Sequence, residues 1–198
     1  MRWIFKYSFI CLIVIIFSSC SISPVDEATL SANKPYADFS GMTLQLNQPA
    51  PAFTLLSGSG EMLSLSDYKD KQAVLLLFYR GEWCAYCMDQ LDTYQALLPE
   101  LEKYQIQLLA ISPDGKSAIE HTSRRFGQSY IFLSDEGLAV AKRYNVGNAK
   151  GLPHPSLFLI DRQGKLVWYY ASTNHKVRPT ARQVEAIIRQ KFAASPTL

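Results

Sequence analysis

Cys84 and Cys87 lie one helical turn apart in the segment Trp83-Cys84-Ala85-Tyr86-Cys87. Two thiols so placed can close a disulfide, or pass electrons to another protein by thiol–disulfide exchange. The pair is a poor staple, because bridging positions this close restrains the unfolded chain very little. The attacking species is the thiolate, and a free cysteine with a pKa of about 8.5 is mostly protonated at neutral pH. At the start of a helix, unpaired N–H groups and the helix dipole favour the anion. Cys84 occupies that place and is expected to be the nucleophile. Cys87 sits one turn in, is expected to be more buried, and is read as the resolving thiol. Arg80 would favour the thiolate, and Glu82 would oppose it or shuttle a proton. The alternative for both is a solvated flank.

The elements that must hold this pair are legible around it. Ala73 to Tyr79 reads as a buried strand, and Met88, Leu91, Tyr94, Leu98 and Leu101 recur at helical spacing. That helix is expected to run to about Tyr104 with a kink at Pro99. Upstream, Phe53–Leu56 and Met62–Leu65 flank Ser57-Gly58-Ser59-Gly60, a hairpin signal. Downstream, Ile106–Ile111 reads as a second buried strand, and Asp114 as the cap of a helix to about Phe126. Tyr130–Leu133 follows as a short strand and Glu136–Tyr144 as a short helix. Ser156–Ile160 and Leu166–Tyr170 form a second hairpin, in which one of Tyr169 and Tyr170 should be core. A last helix is expected from about Thr180 to Phe192. Strands alternating with helices argue an α/β fold, with a central sheet covered on both faces.

The chain has 198 residues, 48% of them hydrophobic, enough for one domain with a sizeable core. Its formal charge is +3, and setting aside Arg2 and Lys6 leaves 18 basic against 17 acidic residues. Nothing in that balance supports a nucleic-acid partner. Arg2 and Lys6 precede an apolar stretch, Ile10–Phe17, that ends in Ser18-Ser19-Cys20. The stretch is too short for a confident membrane span and fits an export signal. Phe17-Ser18-Ser19-Cys20 resembles a bacterial lipobox in which Cys20 is lipidated after cleavage, although Phe17 replaces the usual Leu. The alternative is an uncleaved anchor. Residues 1–20 are therefore read as signal and anchor, 21–46 as a flexible tether, and 47–198 as the domain. The implied location is the cell envelope, lipid-anchored and facing the periplasm, with a Gram-negative outer membrane favoured. Only Cys84 and Cys87 then remain in the folded part.

The segment Phe78-Tyr79-Arg80-Gly81-x-Trp83-Cys84-x-x-Cys87, between strand and helix, resembles the thioredoxin superfamily. More narrowly it is similar to redoxins of the alkyl hydroperoxide reductase/thiol-specific antioxidant group, a peroxiredoxin-like branch. Ala50–Leu55, Leu152–Gly164 and Val177-Arg178-Pro179 carry the same resemblance, which spans roughly 47–192. It implies a thioredoxin-like fold with a central mixed sheet and an N-terminal hairpin. It implies an oxidoreductase needing no cofactor, whose partners are protein thiols or disulfides, an upstream thiol donor and, alternatively, peroxides. It also implies that Pro155 is cis, faces the cysteines and exposes the backbone of His154 to an extended substrate strand. His154 would then sit over Cys84 or line the rim. Trp83, Arg80, His154 and Pro155 are accordingly the residues expected to bind substrate or tune the pair. Trp83, Tyr79 and Tyr86 are expected to pack around it. Typical peroxidatic sites carry Pro and Thr where this chain has Leu77 and Gly81, which argues against peroxide reduction.

A third reading makes Cys84 and Cys87 soft metal ligands completed by His121, His154 or His175. The histidines show no helical pairing, and each reads more simply as a surface residue.

Overall fold

The computed structural model describes residues 21–193; the expected export segment, with Cys20, lies outside the described residues. In chain order the strands and helices are β1 (Ser23–Pro24), β2 (Tyr36–Ala37), β3 (Thr54–Ser57), β4 (Met62–Ser64), β5 (Ala73–Phe78), α1 (Ala85–Thr93), α2 (Leu98–Lys103), β6 (Ile106–Ser112), α3 (Lys116–Phe126), β7 (Ile131–Ser134), α4 (Ala139–Arg143), β8 (Ser156–Ile160), β9 (Leu166–Ala171), β10 (Val177–Arg178) and α5 (Ala181–Phe192). The main sheet runs β2-β9-β8-β5-β6-β7-β3-β4. β5, β6 and β7 are mutually parallel, while β8 pairs antiparallel with β5 and with β9.

β5 lies at the centre because every one of its residues is apolar and buried. Alternation sends Leu75 and Leu77 to one face, against Leu91, Ile119 and Ile188. It sends Val74, Leu76 and Phe78 to the other, against Val140, Ala141 and Tyr144. Both faces are covered, as the continuous apolar run requires. This also explains why Tyr169 and Tyr170 are both buried, where only one was expected: each faces a different core.

The expected long helix is broken by a 3₁₀ turn over Tyr94–Leu97, one turn ahead of Pro99. The proline ring crowds the carbonyl four residues back and removes an N–H donor, so Pro99 is accommodated instead in the first turn of α2. Thr180, the expected start of the last helix, is the N-cap of α5, with the reciprocal Gln183 bond. Asp114 does not cap α3; Gly115 does. The Asp114 carboxylate accepts instead from Ser112 Oγ and from the Glu82 N–H, each at 2.9 Å. It thereby ties the exit of β6 to the loop before Cys84.

The segment expected as a free tether is packed on the domain. Val25 and Ala32 join the core beside α5 and β9. Ser31 O accepts from Trp168 Nε1 at 3.0 Å, and Val25 O from Gln183 Nε2 at 2.7 Å. β2 pairs with β9 and β1 with β10. The apolar residues here, such as Tyr36, Phe39 and Leu44, follow no period, so periodicity does not reveal that each fills a slot.

Candidate functional site

β5 ends at Phe78, and a five-residue loop carries the chain to Cys84, the N-cap of α1. The loop turns at Gly81, whose φ of +140° is open to glycine and strained for other residues. A Cβ at Gly81 would stand 2.5 Å from Trp83 Nε1 and 2.8 Å from Asp114 Oδ1. The Cys84 N–H closes on Gly81 O at 3.1 Å, and the N–H groups of Cys87 and Met88 donate to Cys84 O. α1 therefore begins on the first cysteine.

Both thiols are free and buried, Cys87 completely. The Cys87 thiol donates to the Cys84 sulfur, which holds the Cys84 pKa down to about 6 against the opposing effect of burial. The Cys87 backbone N–H and the charges of Arg178 and Arg80 act in the same direction. Cys87 is pushed the other way, by its burial and by the bond it gives Cys84. The two thiols are thus split into a ready anion and a reluctant one.

Arg178 is the residue that sequence reasoning passed over. It is fully buried on β10, donating from Nη2 to Cys87 Sγ at 3.3 Å, from Nη1 to Gln90 Oε1 at 2.6 Å and from Nε to His175 O at 3.1 Å. The Arg80 N–H is a second donor to Cys87 Sγ, at 3.4 Å. The only available signal was the Val177-Arg178-Pro179 resemblance, which gave Arg178 no role.

The other expected residues divide. Arg80 lies over the ring of Trp83 at 4.9 Å. Trp83 does not pack into the core; it is 60% exposed, its ring beside Gly81 and under the Arg80 guanidinium. The Glu82 carboxylate is engaged by His121 Nδ1 at 2.9 Å. Tyr86 meets the edge of His175. No group of three or more His, Cys, Asp or Glu among the described residues could hold a metal ion.

Pro155 is trans, as is every peptide bond of the described residues, against the expected cis bond. The trans form is the lower-energy one for X–Pro, and the flanking hydrogen bonds accommodate it. The His154 N–H, expected to meet a substrate strand, donates to Val146 O at 2.7 Å. Pro155 O accepts from the Ser172 N–H at 3.2 Å. The His154 ring lies tilted against Phe39 at 4.9 Å and lines the rim, and burial lowers its pKa. His154 and Pro155 border a groove of about 400 Å³ that Arg80 and His175 connect to the cysteine loop. A larger groove of about 630 Å³, lined by Lys71, Gln105 and Gln107, lies by the amino ends of β5 and β6. The cysteines are at the carboxyl end of β5, where open α/β sheets place their sites.

Residues 46–169 match the AhpC/TSA family. A Coxiella burnetii protein carrying the name peroxiredoxin bcp is 31% identical over 137 residues, covering 64% of this chain and 89% of that protein. The thiol-disulfide oxidoreductase ResA of Geobacillus thermodenitrificans is 31% identical over 134 residues, covering 66% of this chain and 73% of that one. Among solved structures, reduced 2-Cys peroxiredoxin of Plasmodium vivax superposes with a TM-score of 0.67 at 20% identity, covering 77% of this chain and 99% of that one. The fold is therefore thioredoxin-like, with a central mixed sheet.

Proposed function

This chain belongs to the AhpC/TSA family and is a thiol-based oxidoreductase, and we propose that it is an exported, membrane-anchored thiol–disulfide oxidoreductase working through Cys84 and Cys87. The observation that carries this reading is the division of labour within the pair. One thiol at a helix start is pulled down to about 6, and the other is buried beneath it as its hydrogen-bond donor. The Cys84 thiolate attacks one sulfur of a partner disulfide, and the other partner sulfur leaves as a thiolate. Cys87, losing its proton, then attacks Cys84 Sγ and displaces the second partner thiolate. The partner gains two electrons, and the Cys84–Cys87 disulfide awaits an upstream thiol donor. Run backward, the same steps oxidise a partner; the potential of the pair decides the direction. Arg178 and the Arg80 N–H are placed to hold Cys87 as it ionises.

The competing reading is a thiol-dependent peroxidase, supported by the peroxiredoxin names among the relatives. Against it stands Gly81, where a threonine side chain would collide with Trp83 and Asp114. An anchor at Cys20 would place the domain at the envelope surface; no described helix is long and apolar enough to cross a membrane.

The test is direct. Cys87→Ser should accumulate mixed disulfides through Cys84, and Cys84→Ser should abolish insulin reduction. Rapid hydrogen peroxide consumption with a sulfenate on Cys84 would replace this reading with the peroxidase. Full activity in Cys84→Ser would overturn the roles of both thiols.

A further inference from the structure

The groove beside the cysteine loop carries charge of one sign. Arg80 and Lys150 line it together with His154, Pro155, Thr173 and His175, and no Asp or Glu does. Among the described residues neither Arg80 nor Lys150 is held in an ion pair. Asp38, whose charge reaches His154, is already engaged by Ser172 Oγ at 2.6 Å and the Thr173 N–H at 2.7 Å. Lys176 adds a further cation, 5.8 Å from the ring of Tyr86. An exposed Trp83 under the Arg80 guanidinium extends the lip of the groove toward Cys84.

The backbone of this rim is spent internally. The His154 N–H and Pro155 O are both paired within the fold, so an arriving chain gains little by adding as a strand. Recognition must come from side chains, and those presented are cationic and aromatic. We propose that this groove docks an acidic segment of a partner protein, lying beside the partner cysteine that reacts with Cys84. This rests on the thiol–disulfide reading of the pair. Carboxylates of that segment meet Arg80 and Lys150, while its disulfide reaches Cys84 past Trp83. Charge complementarity of this kind raises association rates and selects partners.

The test uses the full-length reduced protein and three peptides, Gly-Cys-Xaa-Xaa-Gly with Xaa as Glu, Gln or Lys, each cysteine capped as its thiopyridyl disulfide. Attack by Cys84 on the peptide sulfur releases pyridine-2-thione, read by absorbance, and Cys87 then frees the peptide thiol. The Glu peptide should react about ten-fold faster than the Lys peptide at low ionic strength. High salt should collapse the difference. Lys150→Glu should cut the Glu-to-Gln rate ratio several-fold. Lys103→Glu, on remote α2 and exposed, should leave the ratio unchanged, which separates the groove from overall charge. Equal rates for all three peptides, or equal effects of the two variants, would overturn the acidic-partner proposal and leave the oxidoreductase standing. No reaction with any peptide would overturn both.

Discussion

The guanidinium of Arg178, fully buried, donates to Cys87 Sγ at 3.3 Å, and among the described residues no carboxylate shares it. Its other partners are neutral, the Gln90 amide oxygen and the His175 carbonyl. A buried cation without a counter-ion is costly, so the anion that balances it best is a thiolate of the pair. Reduction creates that anion and disulfide formation removes it.

Arg178→Met keeps the length and loses the charge. Its Cys84 alkylation midpoint should rise from about 6 by about one unit. The reduced form then loses stabilisation, so the disulfide becomes harder to reduce and the potential should fall by about 30 mV. Arg178→Lys should restore part of both. Iodoacetamide rates against pH and equilibration with glutathione read the two effects, and an unchanged midpoint in Arg178→Met would remove the electrostatic role.

The same thiol makes stability depend on pH. The pKa of Cys84 in the fold, about 6, lies below the value of about 8.5 expected in the unfolded chain. The unfolded state therefore binds the extra proton in this window, and stability rises with pH. The contribution is fully present above about pH 8.5 and is lost as pH falls through about 6. In urea unfolding, the advantage of the reduced wild type over Cys84→Ser should shrink across that window. A difference that stays constant from pH 9 to pH 5 would contradict it.

Gly81 should resist replacement. A threonine there must take a φ of +140° and place Cβ against Trp83 Nε1 and Asp114 Oδ1. Trp83 is exposed and can swing away. Asp114 cannot do so freely, because it holds Ser112 Oγ and the Glu82 N–H. Gly81→Thr should destabilise by about 2 kcal/mol and confer no peroxidase activity. A denaturant midpoint and a peroxide assay check both halves.

These residues also show what the sequence exposes and what it hides. β5, the two hairpins and α5 follow from apolar runs, glycine turns and helical spacing, all of them local signals. The Cys84–Cys87 pair is equally local. Arg178 reaches Cys87 across 91 positions, and no period or short motif reports so distant a contact. The break before Pro99 falls a turn early because a proline acts on the carbonyl four residues behind it. The expected cis bond at Pro155 rests on resemblance alone; the bond is trans, the favoured form for X–Pro, and its flanking groups pair with Val146 and Ser172, partners that only the folded chain supplies.

The amino-terminal segment supplies the last prediction. A chain beginning at Asn47, where the sequence places the domain boundary, loses Val25 and Ala32 from the core and the cover they give α5 and β9. Trp168 Nε1 and Gln183 Nε2 lose their acceptors at Ser31 and Val25, and Tyr170 loses the stacked ring of Tyr36. Burying one such apolar side chain is worth about 1.5–3 kcal/mol, and a buried donor left alone costs about 1–3 kcal/mol. Truncation to Asn47 should therefore cost at least about 3 kcal/mol relative to truncation to Ser21, seen as a lower urea midpoint. Because β1 pairs with β10 across Pro24 and Arg178, the loss should also reach the redox site as a higher Cys84 alkylation midpoint. Equal stability of the two truncations would mean that the segment rests on the domain without supporting it.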